Sequence, residues 1–374
     1  MKTYRPTWAE IDLGNLAFNF RQLKKAAGNK VKMLAAVKAN AYGHGMVEVS
    51  RKLQKCGVDY LGVASVDEAL ILRKADINVP VLVLGPTFSF QEMQTAADLG
   101  VTLTVADYAA ALKLHRIAGN RRKLKVHVKV DTGMGRLGIW HKEAEPVIRK
   151  ISGLKHIFIE GIYTHFPSAD TDMRFTKSQI NHFADLLAAL EKQGISIPLA
   201  HAANSIAVCR RLGSSFLNMV RPGIMLYGLS AQDKVQRMVR LKPVLALKSR
   251  VAFIKEAQPG RSISYGRTYI TKKKTRIVTL PIGYADGYAR ALSNKARVII
   301  NGKFYPVAGR ICMDQTMVDV GPRTKVKTGD PVTLIGTQQG KTIRAEQLAR
   351  ICATIPYEVT CRISSRVARV FKNY

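Results

Sequence analysis

Acidic side chains are scarce in this chain. Its 374 residues hold 26 Asp and Glu against 59 Lys and Arg, a formal net charge of +33. So large a basic excess invites a nucleic-acid reading, but its distribution argues against one. The runs Arg121-Arg122-Lys123 and Lys272-Lys273-Lys274 are short. No aromatic residues interleave with them, as a stacking platform requires. The excess reads instead as a solvated basic surface, weakly attractive to polyanions but with no specific nucleic-acid partner. Long uncharged apolar runs are missing too, so no membrane span is expected. Met1 to Trp8 is basic and polar without an apolar centre, so no signal peptide is expected. Cysteine is sparse and unpatterned: Cys56, Cys209, Cys312, Cys352 and Cys361 are scattered and lack any C-x-x-C spacing. Neither a disulfide framework nor a metal site is indicated, and a reducing cytoplasm fits best.

A hydrophobic share of 47% is ample for globular cores, and the length makes two domains the natural expectation. Thr7 to Leu13 alternates like a strand, and Asn15 to Ala27 has helical spacing. Strand-like apolar runs then recur near Met33–Lys38, Tyr60–Ala64, Val81–Gly85, Val101–Val105, Val126–Val130, Ile159–His165, Leu199–Ala203 and Met219–Tyr227. Helical periods separate most of them, at Val66–Ala75, Phe90–Leu99, Ala106–Ala118 and Lys177–Lys192. Eight strands alternating with helices predict a closed parallel (β/α)8, TIM-like barrel. From about Leu241 the texture changes to strand alternation with glycine turns. The runs are Val244–Ile254, Arg276–Pro281, Arg297–Ile300, Tyr305–Val307, Met317–Val320 and Val332–Ile335, with one helix at Arg344–Ala353. The expected fold class is α/β plus β: a barrel over residues 11–235 and a C-terminal mainly β domain over 236–374. Residues 1–10 are expected to cross over and join the β domain.

The stretch Ala36-Val37-Lys38-Ala39-Asn40-Ala41-Tyr42-Gly43-His44-Gly45 closes the first of these runs. A lysine ending a buried strand must find a partner or lose its charge. Desolvation lowers its pKa, and a neutral amine attacks aldehydes. Lys38 is therefore a candidate Schiff-base lysine for pyridoxal phosphate; the plain alternative is a lysine that snorkels into solvent. Barrel chemistry sits at the C-terminal ends of strands. Polar residues fall there repeatedly: Arg136 after the fifth run, His165 ending the sixth, Asn204 and Ser205 after the seventh, Arg221 and Gly223 in the eighth. One decoy intervenes. Gly133 to Gly138 matches G-x-G-x-x-G, and Glu160 stands where a ribose-binding acid would. Yet the motif follows the fifth strand rather than the first. Arg136 inside it suits a substrate carboxylate, whose geometry its planar fork matches.

The segments AVKANAYGHG (36–45), KVDTGMGRLG (129–138), GIYTHF (161–166), HAANS (201–205) and RPGIMLYG (221–228) together resemble the alanine racemases, fold-type III pyridoxal-phosphate enzymes. SYGRTY (264–269), PIGYADGYARALSN (281–294), GRICMDQTMVDV (309–320) and IPYEV (355–359) extend the resemblance over nearly the whole chain. It implies a pyridoxal-phosphate-dependent interconversion of L-alanine and D-alanine by two bases, supplying D-alanine for peptidoglycan. Lys38 would carry the cofactor and serve the D-face, and Tyr265 would serve the L-face. Tyr42, His165, Asn204, Ser205, Arg221, Gly223, Ile224 and Tyr357 would hold the cofactor, with Arg221 at the pyridine nitrogen. Arg136 and the Met313 amide would bind the substrate carboxylate, and Lys129 matches a position that can be carbamylated. Asp170, Tyr284, Arg290 and Arg310 match the entry corridor. Tyr265 and Met313 would come from the second subunit of a homodimer with shared sites. The chain departs from the family's pattern at Pro167 and in its charge. A broad-specificity amino-acid racemase is the alternative on the same scaffold. A cofactor-binding protein without turnover is disfavoured by the presence of both Lys38 and Tyr265.

Overall fold

The computed structural model describes residues 4–119, 123–212, 217–230 and 238–374. Met1, Arg121, Arg122 and the expected domain boundary at 235/236 lie outside them. Eight parallel strands close into a barrel. In chain order they are Lys32–Ala36, Tyr60–Val63, Val81–Val83, Thr102–Val105, Leu124–Asp131, Ile157–Tyr163, Leu199–Asn204 and Met219–Arg221. Each pairs in parallel with the next, and the eighth pairs with the first. Strands covered by helices outside and packed side chains inside are buried on both faces. Most therefore read as continuous Val, Ile, Leu and Ala runs; the fifth, LKVHVKVD, alternates instead and buries His127 and Lys129. The surrounding helices start on side-chain caps. Asp12, Ser65, Ser89, Asp107 and Asp172 each accept a hydrogen bond from a first-turn amide, worth about 1 kcal/mol apiece.

Several strands end earlier than their apolar runs suggest, the sixth among them: it stops at Tyr163, so His165 lies two residues past the strand rather than ending it. Two of the early stops shape the site. The first stops at Ala36, before Lys38. The eighth stops at Arg221, because Pro222 cannot donate a ladder bond, and Ile224–Tyr227 coils into a 3-10 turn instead. Both early stops fall at the barrel's C-terminal rim, where they release chain for the site.

The second domain is mainly β. Its larger sheet runs Lys303–Pro306, Arg297–Ile300, Pro331–Gln338, Leu245–Arg250, Thr7–Asp12, Ala368–Lys372. The N-terminal strand Thr7–Asp12 lies antiparallel to Leu245–Arg250 and parallel to Ala368–Lys372, so the chain's start is stitched into its end. A three-stranded sheet of Phe253–Ala257, Thr275–Leu280 and Thr316–Asp319 packs beside it. The run Val244–Ile254, read as one strand, is thus two, broken at Val251-Ala252. The helix Pro356–Cys361 and the strand Ala368–Lys372 were not marked by periodicity. Both are short, and the strand is nowhere fully buried, so neither shows a clean apolar repeat.

Candidate active site

Lys38 leaves the first strand into an unusual backbone. Ala39, Asn40, Ala41 and Tyr42 all have φ between 52° and 55°, a left-handed coil of four residues with side chains. Each such residue costs roughly 1–2 kcal/mol, so the surroundings must hold it. Glu68 Oε1 accepts from the Ala39 amide at 2.6 Å, and Asn40 Oδ1 accepts from the Met46 amide at 2.8 Å. Gly43 follows at φ 86°, where a Cβ would overlap the Thr360 carbonyl. The effect is to fix where the Lys38 side chain starts. Its amine is mostly buried, and its pKa is lowered by that burial and by Arg136, with Glu68 opposing.

That amine reaches a cavity of about 560 Å³ at the barrel rim. The same cavity is lined by Tyr42, Lys129, Arg136, His165, Asn204, Ser205, Arg221, Gly223, Ile224 and Tyr357. Eleven of the sequence-derived site residues, drawn from separate strand ends, therefore converge. Arg221 is buried and anchored: Nη2 donates to the Thr164 and Ala202 carbonyls at 2.7 and 3.2 Å, and Nη1 meets His201 Nδ1 at 2.7 Å. Burial lowers its pKa only to about 10, so it stays charged at neutral pH. Lys129 is 3% exposed. Burial first, and Arg221 next, bring its amine down to about 7. His165 is held well below its ordinary value by burial and by Arg221, so it is neutral. Tyr357 is raised to about 12 by burial first and by Asp170 next; Asp170 does not line the cavity. Asn204 lines the cavity, but its amide is engaged elsewhere. Oδ1 caps the Ser205–Cys209 helix, and Nδ2 donates to the Phe166 carbonyl.

The G-x-G-x-x-G loop is no phosphate cradle. The amides of Gly133, Met134 and Gly135 all donate to the Asp131 carboxylate. Its tie leaves Arg136 at the loop tip with no ion pair among the described residues. The acid in the ribose position, Glu160, instead pairs with Lys125 near the N-terminal end of the fifth strand, on the far side of the barrel.

Tyr265, Met313, Tyr284, Arg290 and Arg310 form a second group, on the β domain; none lines the barrel cavity. Tyr265 is 70% exposed and Met313 54%. Their backbone is nonetheless fixed. Ser264, just before Tyr265, sits at φ 66°, ψ −178°, a region nearly reserved for glycine. Its Oγ donates to the Arg310 carbonyl at 2.5 Å. The Tyr284 turn is tied to the Met313 loop through Tyr284 N to Cys312 O and Ala285 N to Met313 O, both 3.1 Å. Beneath them Arg5 donates to both oxygens of the buried Asp286, at 2.5 and 2.8 Å. Residues that sequence reasoning passed over include Glu68, His201 and Tyr163, whose ring lies 5.0 Å from both Lys129 Nζ and Arg221 Cζ. His201 lies in a quoted motif, and only the three-dimensional contact gives it a role. Among the described residues no cluster of His, Cys, Asp or Glu could hold a metal ion.

A parallel barrel with a desolvated lysine and an anchored arginine at its rim defines a class: barrel enzymes organised around a reactive amine. Comparison narrows this. The family profile "Alanine racemase, N-terminal domain" matches residues 11–231, and "Alanine racemase, C-terminal domain" matches 244–371. Alanine racemase 2 of Caldanaerobacter subterraneus is 46% identical over 98% of this chain and 95% of its own. Alanine racemase of Halothermothrix orenii is 46% identical over 99% and 97%. The alanine racemase structure from Clostridium difficile superposes with a TM-score of 0.93 at 40% identity, covering 99% of this chain and 97% of the other. That from Bacillus anthracis, with bound L-Ala-P, gives 0.92 at 38%, covering 100% and 96%. The chain belongs to the alanine racemase family.

Proposed function

We propose that this chain interconverts L-alanine and D-alanine with pyridoxal 5'-phosphate as cofactor, providing D-alanine for cell-wall peptidoglycan. The observation that carries the reading is the convergence of Lys38, Arg136 and Arg221 in one cavity. The cavity's shape and chemistry fit the cofactor. A Cβ on Gly223 would fall 2.6 Å from Tyr42 Oη, so glycine lets that phenol close against the start of the 3-10 turn at the cavity wall. Ile224 opens the turn, where helix geometry turns amides toward an anion. Ser205 Oγ, accepting from the Gly223 amide at 2.9 Å, lines the same wall. Tyr42, Ser205, Gly223, Ile224 and Tyr357 would hold the phosphate, Lys38 the aldehyde carbon, His165 the ring, and Asn204 the helix start that carries Ser205. When bound, the cofactor supplies a carbonyl for the substrate amine and an electron sink that acidifies the substrate Cα proton.

Racemisation needs that proton taken from one face and returned on the other. Lys38 serves the D-face and Tyr265 the L-face; each positioned group is worth about 10²–10⁴ in rate. Arg221, still charged, would donate to the ring nitrogen without surrendering its proton, which would restrain side reactions. Arg136 pairs with the substrate carboxylate, helped by the Met313 amide. Lys129, with a pKa of about 7, is largely neutral above pH 7. It can add carbon dioxide with loss of a proton, and the resulting carbamate would be an anion that aims Arg136. Asp170, Tyr284, Arg290 and Arg310 line the entry corridor.

Tyr265 and Met313 are exposed and absent from the cavity of their own chain, so we read each site as shared between two subunits of a homodimer. The barrel half, expected from the sequence at 11–235, starts after the strand Thr7–Asp12, which belongs with the C-terminal residues to the β half that supplies the second base. All five cysteines are free, in keeping with a cytoplasmic setting. Among the described residues no helix is long and apolar enough to cross a membrane.

A circular-dichroism assay tests the reading. With the cofactor added, L-alanine should lose its optical signal while larger amino acids keep theirs. Equal rates on bulky amino acids would favour a broad-specificity racemase. No turnover of L-alanine by a sample absorbing near the cofactor's visible band would sink the reading.

A further inference from the structure

Arg221 is a buried cation whose polar contacts are carbonyls and imidazoles, with no carboxylate among them. The anion lies farther off. Arginine has donors and no acceptor, so His201 Nδ1 must accept from Arg221 Nη1 across their 2.7 Å contact. The proton of His201 then sits on Nε2. That nitrogen lies 2.8 Å from His127 Nδ1, which must accept in turn, leaving the His127 proton on Nε2. His127 Nε2 has no hydrogen-bond partner among the described residues and faces Glu160 Oε2 at 3.4 Å. Glu160 is paired with Lys125 at 2.6 Å, at the end of the barrel opposite Lys38. Every proton along this row is thus dictated by the guanidinium at its head.

We propose that Glu160, His127 and His201 are positioning residues: a directed row through the barrel that gives Arg221 its counter-charge and fixes it as a donor toward the cofactor's ring nitrogen. This role rests on the reading of Arg221 as the ring-nitrogen partner.

The barrel is shaped around the row. A Cβ on Gly161 would fall 2.5 Å from His127 Cε1, so the sixth strand gives up a side chain to seat that ring. Tyr163 stacks on His201 with centroids 4.8 Å apart and planes 6° from parallel. The Tyr163 hydroxyl is pinned to the Thr104 hydroxyl at 2.8 Å. Charge states agree with the deduced protons. Burial alone would raise Glu160, but His127 and Lys125 outweigh it and bring it to about 2. Burial holds His201 well below its ordinary value, with Arg221 adding to the shift. Burial also lowers His127, outweighing Glu160. The charged or titratable groups facing the row are Arg221, Lys129 and Tyr163 at its head, and Tyr60, Lys125 and Glu160 at its foot. A carboxylate beyond two neutral imidazoles compensates the guanidinium without standing beside it. An adjacent carboxylate would compete for the donor that the ring nitrogen needs.

The nitrogen-15 spectrum of histidine-labelled full-length protein reads the tautomers directly, with and without pyridoxal phosphate. Both rings should be neutral and protonated on Nε2 from about pH 7 to 9, whether or not cofactor is present. Glu160→Gln should disturb the His127 signals. It should lower kcat about tenfold, as outer partners of a functional group commonly do, with KM within about twofold. A ring protonated on Nδ1, a doubly protonated ring, or a Glu160→Gln protein with unchanged kcat would overturn the proposal. If Glu160→Gln does not fold, the wild-type spectrum decides alone. A wild-type protein inactive on alanine would overturn the racemase reading instead, and the tautomers would still decide the row.

Discussion

The rim around Lys38 and the lip around Tyr265 are built by different rules. At the rim, reactive side chains are desolvated and share one cavity. At the lip they stand in solvent, with Tyr265 70% exposed. Yet both are set on strained backbone: the left-handed coil after Lys38 and the Ser264 conformation before Tyr265. Strain persists only where surrounding contacts over-determine it. An exposed phenol on a rigid, strained turn is therefore a surface shaped to fit something, and not a mobile loop. Under the shared-site proposal, one chain holds a half-site on its barrel and a lip that completes its partner's. Two copies exchanging lips would complete both.

The largest effects test that division. Lys38→Ala should abolish racemisation and cofactor attachment. Tyr265→Phe should keep the cofactor's visible absorbance and lose L-to-D turnover. Mixed after mild dissociation, the two inactive proteins should regain about a quarter of wild-type activity, because half of randomly paired dimers carry one intact site. If no activity returns while mixed dimers are present by mass spectrometry, the shared site is wrong.

The next effect tests whether the lip's rigidity matters. Asp286→Asn removes the fully buried carboxylate shared by Arg5 and Arg366, both part-exposed. Because the cations left behind reach solvent, the cost should be about 1–3 kcal/mol, read as a lower urea midpoint. Turnover should fall with it, because Tyr284 and the Met313 loop rest on this residue. The rim is probed by Arg136→Met, which should raise KM for alanine roughly 10- to 100-fold, since a charge-assisted pair is worth about 1.5–3 kcal/mol. Cofactor affinity should be unchanged. If KM moved less than twofold, another group would have to hold the carboxylate.

The rim was also the more legible half. Parallel strands buried on both faces announce themselves as apolar runs, so the residues that interrupt them, Lys38, His165 and Arg221, stood out by position alone. The lip offers no such contrast. Tyr265 and Met313 lie in turns whose direction is set by Ser264, Asp286 and Arg5, contacts between residues up to 281 apart in sequence. Periodicity cannot see them, and only the resemblance of the SYGRTY and CMDQ segments singled them out. The left-handed coil after Lys38 was equally hidden. Ala and Tyr do not favour that conformation, and Asn visits it only occasionally; the Glu68 carboxylate, supplied by another element, holds its first residue at the Ala39 amide. The row from Arg221 to Glu160 escaped for the same reason, with Glu160 drawn into a decoy motif by spacing alone.

The smallest effect separates burial from chemistry at Lys129. Its amine titrates at about 7 in the fold against an ordinary 10.5. Between those values the unfolded chain binds a proton that the native chain does not. Lys129 therefore costs stability in full below about pH 7, and the cost shrinks as pH rises toward 10.5. Lys129→Met removes the cost. The variant should be more stable than wild type at pH 6, and its advantage should shrink by about 1–2 kcal/mol at pH 9, allowing for neighbouring charges. Bicarbonate sharpens the comparison. If carbon dioxide caps the neutral amine, adding it at pH 8 should stabilise wild type and leave Lys129→Met unmoved, with carbamate density at residue 129. An advantage that stays constant from pH 6 to pH 9 would mean the lysine keeps its charge in the fold, and a carbamate could then not form there at neutral pH.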